Sequence, residues 1–377
     1  LELSLVIPSF NEKDNVQNLV QQIHQALADT NIDYEIFFVD DSTDETPQRL
    51  EKMAALDQRV RYYHRENGKG LGTAVVEGIH QTESEWIIVM DADLQHPPEL
   101  LPTMVERLKA GIDIVIPSRF VEGGSDGGLV GVRKLISFGA RSIGRLLLKR
   151  LRPISDCTSG FFGFKRTVVQ GVKLQPLGWK ILIEILMKAN YRTVHEIPYQ
   201  FKARDAGESK MSIREQWNYL IHLWKLMWQS EEDRRFPLFA MIGFSGVWVN
   251  LGLMAGFIYL LGMNHVLASV LASLMAMVNN YIWNDALTWR DAKQKEHKPG
   301  WIRMLLFMAI SAVSVALTTW IMRGLEMIGI QVLVGQTIGI LISTIWSYQA
   351  NRHLTWGGKK LSLPKPDRRV IVTRDRG

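Results

Sequence analysis

Between Arg235 and Asp285 the chain runs 49 residues without one Asp, Glu, Lys or Arg. A membrane span needs roughly 20 predominantly apolar residues, so this stretch is long enough for two and excludes a purely soluble chain. Spans are expected near 237–261 and 266–286, with Gly262-Met-Asn-His265 as the turn, and two more at Met304–Met322 and Met327–Asn351. The connection 286–303 carries five Lys or Arg against two acids, and the segment from 357 onward seven against two, while the opposite connections are short and nearly uncharged. Basic connections stay on the cytoplasmic side. The expectation is four spans, with the N-terminal region and the C-terminus both cytoplasmic.

The apolar half also repeats itself. Tyr281-x-x-Asn284-x-x-Leu-Thr-Trp289 returns with its spacing intact as Tyr348-x-x-Asn351-x-x-Leu-Thr-Trp356, each copy at the cytoplasmic end of a second span. Matched positions at one offset indicate a duplicated helical hairpin; the alternative is a set of independent interfacial anchors.

Ahead of these spans the charge returns and the pattern changes. Short β-branched runs, Leu3–Ile7, Tyr34–Val39, Val60–Tyr63, Trp86–Met90 and Ile112–Ile116, alternate with amphipathic stretches. Near-continuous apolar strands separated by helices predict an α/β domain with a mainly parallel sheet covered on both faces. Ligands of such sheets sit at the carboxyl ends of the strands, where this chain places Pro8-Ser-Phe-Asn-Glu12, Asp40-Asp-Ser-Thr-Asp44 and Asp91-Ala-Asp93, all polar and acidic. Two amphipathic stretches follow. In Val132–Leu151, Lys134, Arg141, Arg145 and Lys149 lie opposite Leu135, Ile136, Ile143, Leu146 and Leu147; in Ile213–Gln229, Ile213, Trp217, Leu220, Ile221 and Trp224 form a stripe. Both suit the surface of an anionic membrane, and both also suit ordinary core packing. The boundaries read are an α/β domain over 1–210 including an interfacial helix at 131–151, an amphipathic helix and linker over 211–235, a four-helix membrane domain over 236–356, and a basic tail over 357–377.

Lys plus Arg exceed Asp plus Glu by 44 − 38 = 6, a modest excess that suits membrane lipid and phosphates. No basic, aromatic-interleaved groove marks a nucleic-acid partner. One cysteine, Cys157, excludes an internal disulfide framework and a multi-cysteine metal site. The carboxylates of Asp91 and Asp93 point alike from an extended backbone and can share a hard divalent cation, Mg²⁺ or Mn²⁺, with Gln95 offering a third oxygen. The same residues also read as the start of a helix.

Val6-Ile-Pro-Ser-Phe-Asn-Glu12, Val39-Asp-Asp-Ser-Thr-Asp44, Gly68-Lys-Gly-Leu-Gly72 and Met90-Asp-Ala-Asp-Leu-Gln-His-Pro-Pro-Glu99 resemble, in order and spacing, the family 2 inverting glycosyltransferases of the GT-A fold, specifically the dolichol-phosphate mannose synthase group. The resemblance covers about residues 1–230, and the remainder is similar to the GtrA-like membrane domain. It implies that Pro8, Phe10, Glu12, Val39, Asp41, Asp91 and Ala92 hold the sugar nucleotide, and that Asp91, Asp93 and Gln95 ligate Mg²⁺ or Mn²⁺ on its diphosphate. It implies also that Arg119, Arg133, Ser137, Arg204 and Lys210 grip the acceptor phosphate; Arg133 equally suits lipid headgroups. Gly123-Gly-Ser-Asp-Gly-Gly128 reads as a loop that orders over substrate or as a plain connector. Asp156 in Asp156-Cys-Thr-Ser-Gly-Phe-Phe162 resembles the family's acceptor-side motif, and Thr158 and Ser159 equally suit a turn. Processive members carry Q-x-x-R-W, whereas this chain has Gln175-Pro-Leu-Gly-Trp179, which points to the transfer of one sugar.

The expected reaction is therefore transfer of one mannose from GDP-mannose to a polyprenyl (dolichyl) monophosphate. Its rivals are a UDP-sugar donor carrying glucose or an aminosugar, and a lipid-carrier flippase whose first domain senses sugar nucleotide. Little intramembrane charge argues against the last, because transport paths are lined by polar groups.

Overall fold

The computed structural model describes residues 1–68, 70–125, 127, 132–201, 213–293, 298–357 and 370–375, with the side chains of 132–138, 213 and 293 excepted. The chain divides into two compact units, Leu1–Trp228 with Pro366–Gly377, and Gln229–Lys365.

The first unit is built on a sheet of strands β1 (Leu3–Ser9), β2 (Tyr34–Asp40), β3 (Val60–His64), β4 (Trp86–Val89), β5 (Ile114–Ser118), β6 (Phe162–Lys165), β7 (Thr193–Pro198) and β8 (Ile371–Arg374), in the order β3-β2-β1-β4-β6-β5-β7-β8. Every pairing is parallel except those of β6, which runs against both β4 and β5. Helices α1 (Val16–Leu27), α2 (Thr46–Leu56), α3 (Leu71–Gln81), α4 (Leu101–Lys109), α5 (Val132–Leu147), the single turn α6 (Arg166–Val169), α7 (Ile181–Lys188) and α8 (Ile213–Gln229) complete it.

Alternation along the strands makes two cores. Leu3, Leu5 and Ile7 of β1, with Ile36, Phe38, Ile88 and Val115, pack against Leu19 and Ile23 of α1 and Met104 and Leu108 of α4. Val6, Ile87, Val89, Ile114 and Ile116 face the other way, toward Val75 and Ile79 of α3, Leu182 and Ile185 of α7 and Leu223 and Met227 of α8. Apolar residues at adjacent positions are what a sheet buried on both faces requires. The expected parallel sheet is present, with one strand reversed.

Three details differ from the sequence expectation. Helix α5 stops at Leu147, and Lys149–Leu151 forms a separate 3₁₀ turn rather than continuing it. Helix α8 turns Tyr219, Leu223, Leu226 and Met227 into the core, while Trp217, Leu220, Ile221 and Trp224 remain exposed; core packing and the Trp-bearing stripe are therefore different faces of one helix. Within the segment read as a tail, Ile371–Arg374 returns to the sheet as β8, paired with β7 in the register Thr193↔Ile371 to Glu196↔Arg374.

The second unit contains α9 (Arg235–Tyr259), α10 (His265–Trp283), the short α11 (Arg290–Lys293), α12 (Gly300–Met327) and α13 (Val332–Ala350). By length and composition Arg235–Tyr259, His265–Thr288 and Gly300–Met327 qualify as membrane spans. Helix α13 matches α10 in length, 19 residues each, but carries Gln336, Thr337, Ser343 and Thr344 along it and is not among them. Helix α9 packs on α10, and α12 on α13. The buried faces of α10 and α13 are small residues in matching places: Ala268, Ala272 and Ala276 in one, Gly335, Gly339 and Ser343 in the other. Small residues let helix backbones approach closely where lipid removes the hydrophobic drive. Each second helix ends in a π-helical turn, Asn284–Thr288 and Asn351–Thr355. There Thr288 donates to Asn284 Oδ1 at 2.9 Å and Thr355 to Asn351 Oδ1 at 2.8 Å. The rings cross between copies: Trp289 stacks on Trp356 (5.2 Å, 8°), Trp289 on Tyr348 and Tyr281 on Trp356. The repeat read from sequence is thus one aromatic block shared by two hairpins.

Candidate active site

Because β1, β2, β4 and β5 run the same way, their carboxyl ends open on one edge of the sheet, with Ser9 opposite Asp40. Asp40 is a fully buried structural carboxylate. Ser9 and Ser42 donate to its Oδ1 at 2.7 and 2.5 Å, and His64 Nδ1 lies 2.8 Å from Oδ2. Its neighbour Asp41 is held bidentately by Arg65, Nε to Oδ1 and Nη2 to Oδ2, both at 2.6 Å. A Cβ on Gly68 would collide with that carboxylate. Asn11 sits at φ 56°, where its Oδ1 accepts from Thr43 N, and Glu12 N donates to Thr46 Oγ1 at 3.0 Å. Pro8, Val39 and Ala92 are buried, so only their main chain can face a ligand. Phe10 is 45% exposed, a flat apolar face of the kind on which bases stack.

The segment after β4 carries the acidic pair. Asp93 is buried and its Oδ1 accepts from Gln95 N at 3.2 Å; Asp91 is partly exposed. Leu94, directly after the pair, adopts φ 62°, which turns the chain back after Asp93. His96, 3% exposed, accepts from Asp91 N through Nδ1 at 3.1 Å and stacks on Phe161 at 5.2 Å. An accepting Nδ1 leaves the proton of the neutral ring on Nε2. A Cβ at Gly160 would lie 2.8 Å from Asp91 Oδ2, so glycine is what lets the reversed strand's approach pass beside that carboxylate. Among the described residues no three His, Cys, Asp or Glu side chains form a metal-ligating group. The donors on hand are two carboxylates and the Gln95 oxygen, which fits a hard cation that completes its shell from water and phosphate.

Reversal of β6 brings its leading segment, 153–161, to this same edge. Asp156, fully buried, accepts from Arg119 Nε at 2.8 Å and from Nη2 at 3.0 Å. Arg119 lies over the rings of Phe120 and Phe201 at 5.2 and 5.3 Å, and Arg141 of α5 over Phe120 at 3.8 Å. Lys180 donates to Thr158 O at 3.2 Å. Burial first, and then Arg119, push its ammonium below the ordinary lysine value, while Asp156 and Asp91 act in the opposite sense. Burial likewise raises Tyr199 above the usual tyrosine range.

Of the expected acceptor residues the structure brings Arg119 to the edge that bears Asp91 and Asp93. Arg133 and Ser137 lie on α5 with side chains outside the described set, and Arg204 and Lys210 lie outside the described residues. In the glycine loop, Ser125 bridges to Gln200 in parallel fashion. Sequence reasoning missed Arg65, His96 and Lys180. His96 had a signal in its place three residues after Asp93; Arg65 and Lys180 follow runs with no motif of their own.

The chain matches the family model described as Glycosyl transferase family 2 over residues 4–172, and that described as GtrA/DPMS, transmembrane domain, over residues 238–360. Fold and site together define a membrane-bound inverting glycosyltransferase. Among solved structures it is similar to glucosyl-3-phosphoglycerate synthase from Mycobacterium tuberculosis in complex with Mn²⁺, UDP-glucose and phosphoglyceric acid, at 19% identity and TM-score 0.46, over 60% of this chain and 79% of that one. It is 39% identical over 359 residues to the dolichol-phosphate mannosyltransferase of Pyrococcus furiosus, covering 94% of this chain and 99% of that one. It is 31% identical over 237 residues to that of Saccharomyces cerevisiae, covering 60% and 87%. The chain belongs to the dolichol-phosphate mannosyltransferase family.

Proposed function

We propose that this protein transfers one mannose from GDP-mannose to a dolichyl or other polyprenyl monophosphate at the cytoplasmic leaflet, with inversion at the anomeric carbon. One observation carries the reading: a single sheet edge gathers the acidic pair Asp91 and Asp93, the exposed Phe10 and the bidentate Arg119–Asp156 pair. Pro8, Phe10, Glu12, Val39, Asp41 and Ala92 hold the nucleoside end. Asp91, Asp93 and Gln95 hold Mg²⁺ or Mn²⁺, which when bound neutralises charge on the departing diphosphate. Arg119, Arg133, Ser137, Arg204 and Lys210 hold the acceptor phosphate.

A phosphate monoester, with its second pKa near 6, is already largely dianionic at neutral pH. An oxygen of it bonds to the anomeric carbon as the bond to the nucleoside diphosphate breaks and carries the electron pair away. No proton has to be removed from the nucleophile, and the site is consistent with that: both Asp156 oxygens already accept from Arg119. What remains for the chain is alignment of the two reacting groups.

The return of β8 to the sheet supports an even number of crossings, since β7 and β8 pair in one sheet on one side of the bilayer. Three spans would separate them; α13 as a fourth reunites them. Basic connections at 286–303 and beyond 357 support a cytoplasmic location for that unit. The test is incubation of purified protein with Mg²⁺ or Mn²⁺, a short polyprenyl phosphate and, separately, GDP-mannose, UDP-glucose and UDP-N-acetylglucosamine. Lipid-linked mannose from GDP-mannose alone is the expected product. Product from a UDP-sugar instead would replace the donor, and none from any donor would reject transfer.

A further inference from the structure

The last described residues of the chain reach the acceptor side of the site through side chains. Arg374 of β8 donates through Nε to Glu196 Oε2 at 2.9 Å and through Nη2 to Pro153 O at 3.0 Å. Glu196 is fully buried on β7, and its other oxygen, Oε1, accepts from Ser155 N at 2.8 Å, Ser155 Oγ at 2.5 Å and Asp156 N at 3.2 Å. Ser155 Oγ also meets Ser118 Oγ at 2.7 Å, directly before Arg119. Asp156 fixes the Arg119 guanidinium in plane. The path Arg374, Glu196, Ser155–Asp156, Arg119 is continuous, and Glu196, Ser155 and Asp156 are buried.

A strand that only covered the edge of β7 would need main-chain pairing alone. This one is also pinned by side chains: Thr373 Oγ1 lies 2.7 Å from His195 Nδ1, and Asp375 Oδ1 takes Arg107 Nη2 at 2.8 Å and His195 Nε2 at 3.0 Å. A buried carboxylate needs a countercharge, and removing one partner strands the other. Arg374 is the cation paired with Glu196 among the described residues. Without it the carboxylate that collects three donors from 155–156 is left buried and uncompensated, and the segment carrying Asp156 loses its anchor.

We propose that β8 is a positioning element for the acceptor phosphate: Arg374, acting through Glu196, sets the segment that orients Arg119. This rests on the reading of Arg119 as an acceptor-phosphate ligand. A chain end beyond the membrane helices thereby becomes a requirement of the transfer site.

The test uses the full chain in detergent, its Arg374→Ala and Arg374→Lys variants, and a chain ending at Arg369. Acceptor KM, kcat and GDP affinity are measured alongside amide exchange at Ser155 and Asp156. Expected is a roughly tenfold rise in acceptor KM for Arg374→Ala and the shortened chain, with GDP affinity held within about twofold, faster exchange at 155–156, and recovery of most of the loss by Arg374→Lys. An acceptor KM unchanged in both altered chains would sink the proposal. So would parallel losses of acceptor and GDP binding, the mark of an edge cover alone. Arg119→Ala is the control: if it leaves acceptor KM unaltered, the acceptor reading fails. Exchange at 155–156 in Arg374→Ala then decides the positioning path by itself, faster supporting it and unchanged rejecting it.

Discussion

At the scale of single residues, the proposed donor side rests on a carboxylate that is built rather than merely present. Asp41 presents fixed oxygens because Arg65 grips both of them and Gly68 leaves room for them. Arg65→Ala frees the carboxylate to rotate and leaves it without its partner, and Gly68→Ala pushes a methyl into its place. Each is expected to weaken GDP binding about tenfold, or ~1.4 kcal/mol, with acceptor KM unaltered; calorimetric titration with GDP reads the effect, and unchanged affinity in both variants would remove Asp41 from the donor site. The acidic pair carries a larger expectation. Asp93→Ala removes a carboxylate from a site with two, so turnover is expected to fall on the order of 10²-fold or more. Raising Mg²⁺ or Mn²⁺ should restore little of it. Near-normal rates in a folded Asp93→Ala protein would reject the metal assignment.

At the scale of elements, the sequence made β1, β2, β4 and β5 plain, because each is a run of β-branched or aromatic residues closed by a polar turn. Strand β6 was not legible. Phe162-Gly-Phe-Lys165 is four residues long, and nothing local says which way a strand runs; its reversal is decided by the pairing with Val89 and Val115 on either side. That reversal is also why Asp156 reaches the site, so its pairing with Arg119 was out of reach of spacing arguments although both residues were named. β8 was hidden for another reason: Ile371-Val-Thr-Arg374 lies in a segment whose basic composition reads as solvated. In the membrane half the repeat was visible, but its consequence was not. The first copy places Asp285 where the second has Arg352; Asp285 accepts from Arg303 Nε at 3.1 Å and from Trp356 Nε1 at 3.0 Å, tying one copy to the other. Asp285→Ala leaves buried Arg303 without its carboxylate and is expected to destabilise the helical unit by about 3–5 kcal/mol. Thermal unfolding in detergent reads this as an earlier transition with GDP affinity retained; an unshifted midpoint would show the pair contributes no net stability.

At the scale of the whole molecule, one pairing constrains topology. Because β7 and β8 are hydrogen-bonded neighbours, the proposed topology has the chain leave and re-enter one side of the membrane, with α13 crossing despite its polar residues. Cysteine labelling tests this with little background. Cys157 is fully buried, and burial with Asp156 behind it pushes its thiol up to about 12, which leaves almost no reactive thiolate at neutral pH. Leu261→Cys and Ile328→Cys place exposed thiols at the two turns expected outside, and Arg290→Cys places one on the connection expected inside. In sealed right-side-out vesicles an impermeant maleimide is expected to label the first two, and Arg290→Cys only after permeabilisation. Labelling of Leu261→Cys and Ile328→Cys from opposite sides would break the two-hairpin topology. It would also require β8 to reach its sheet from another copy of the chain, because a strand cannot pair with β7 through a bilayer.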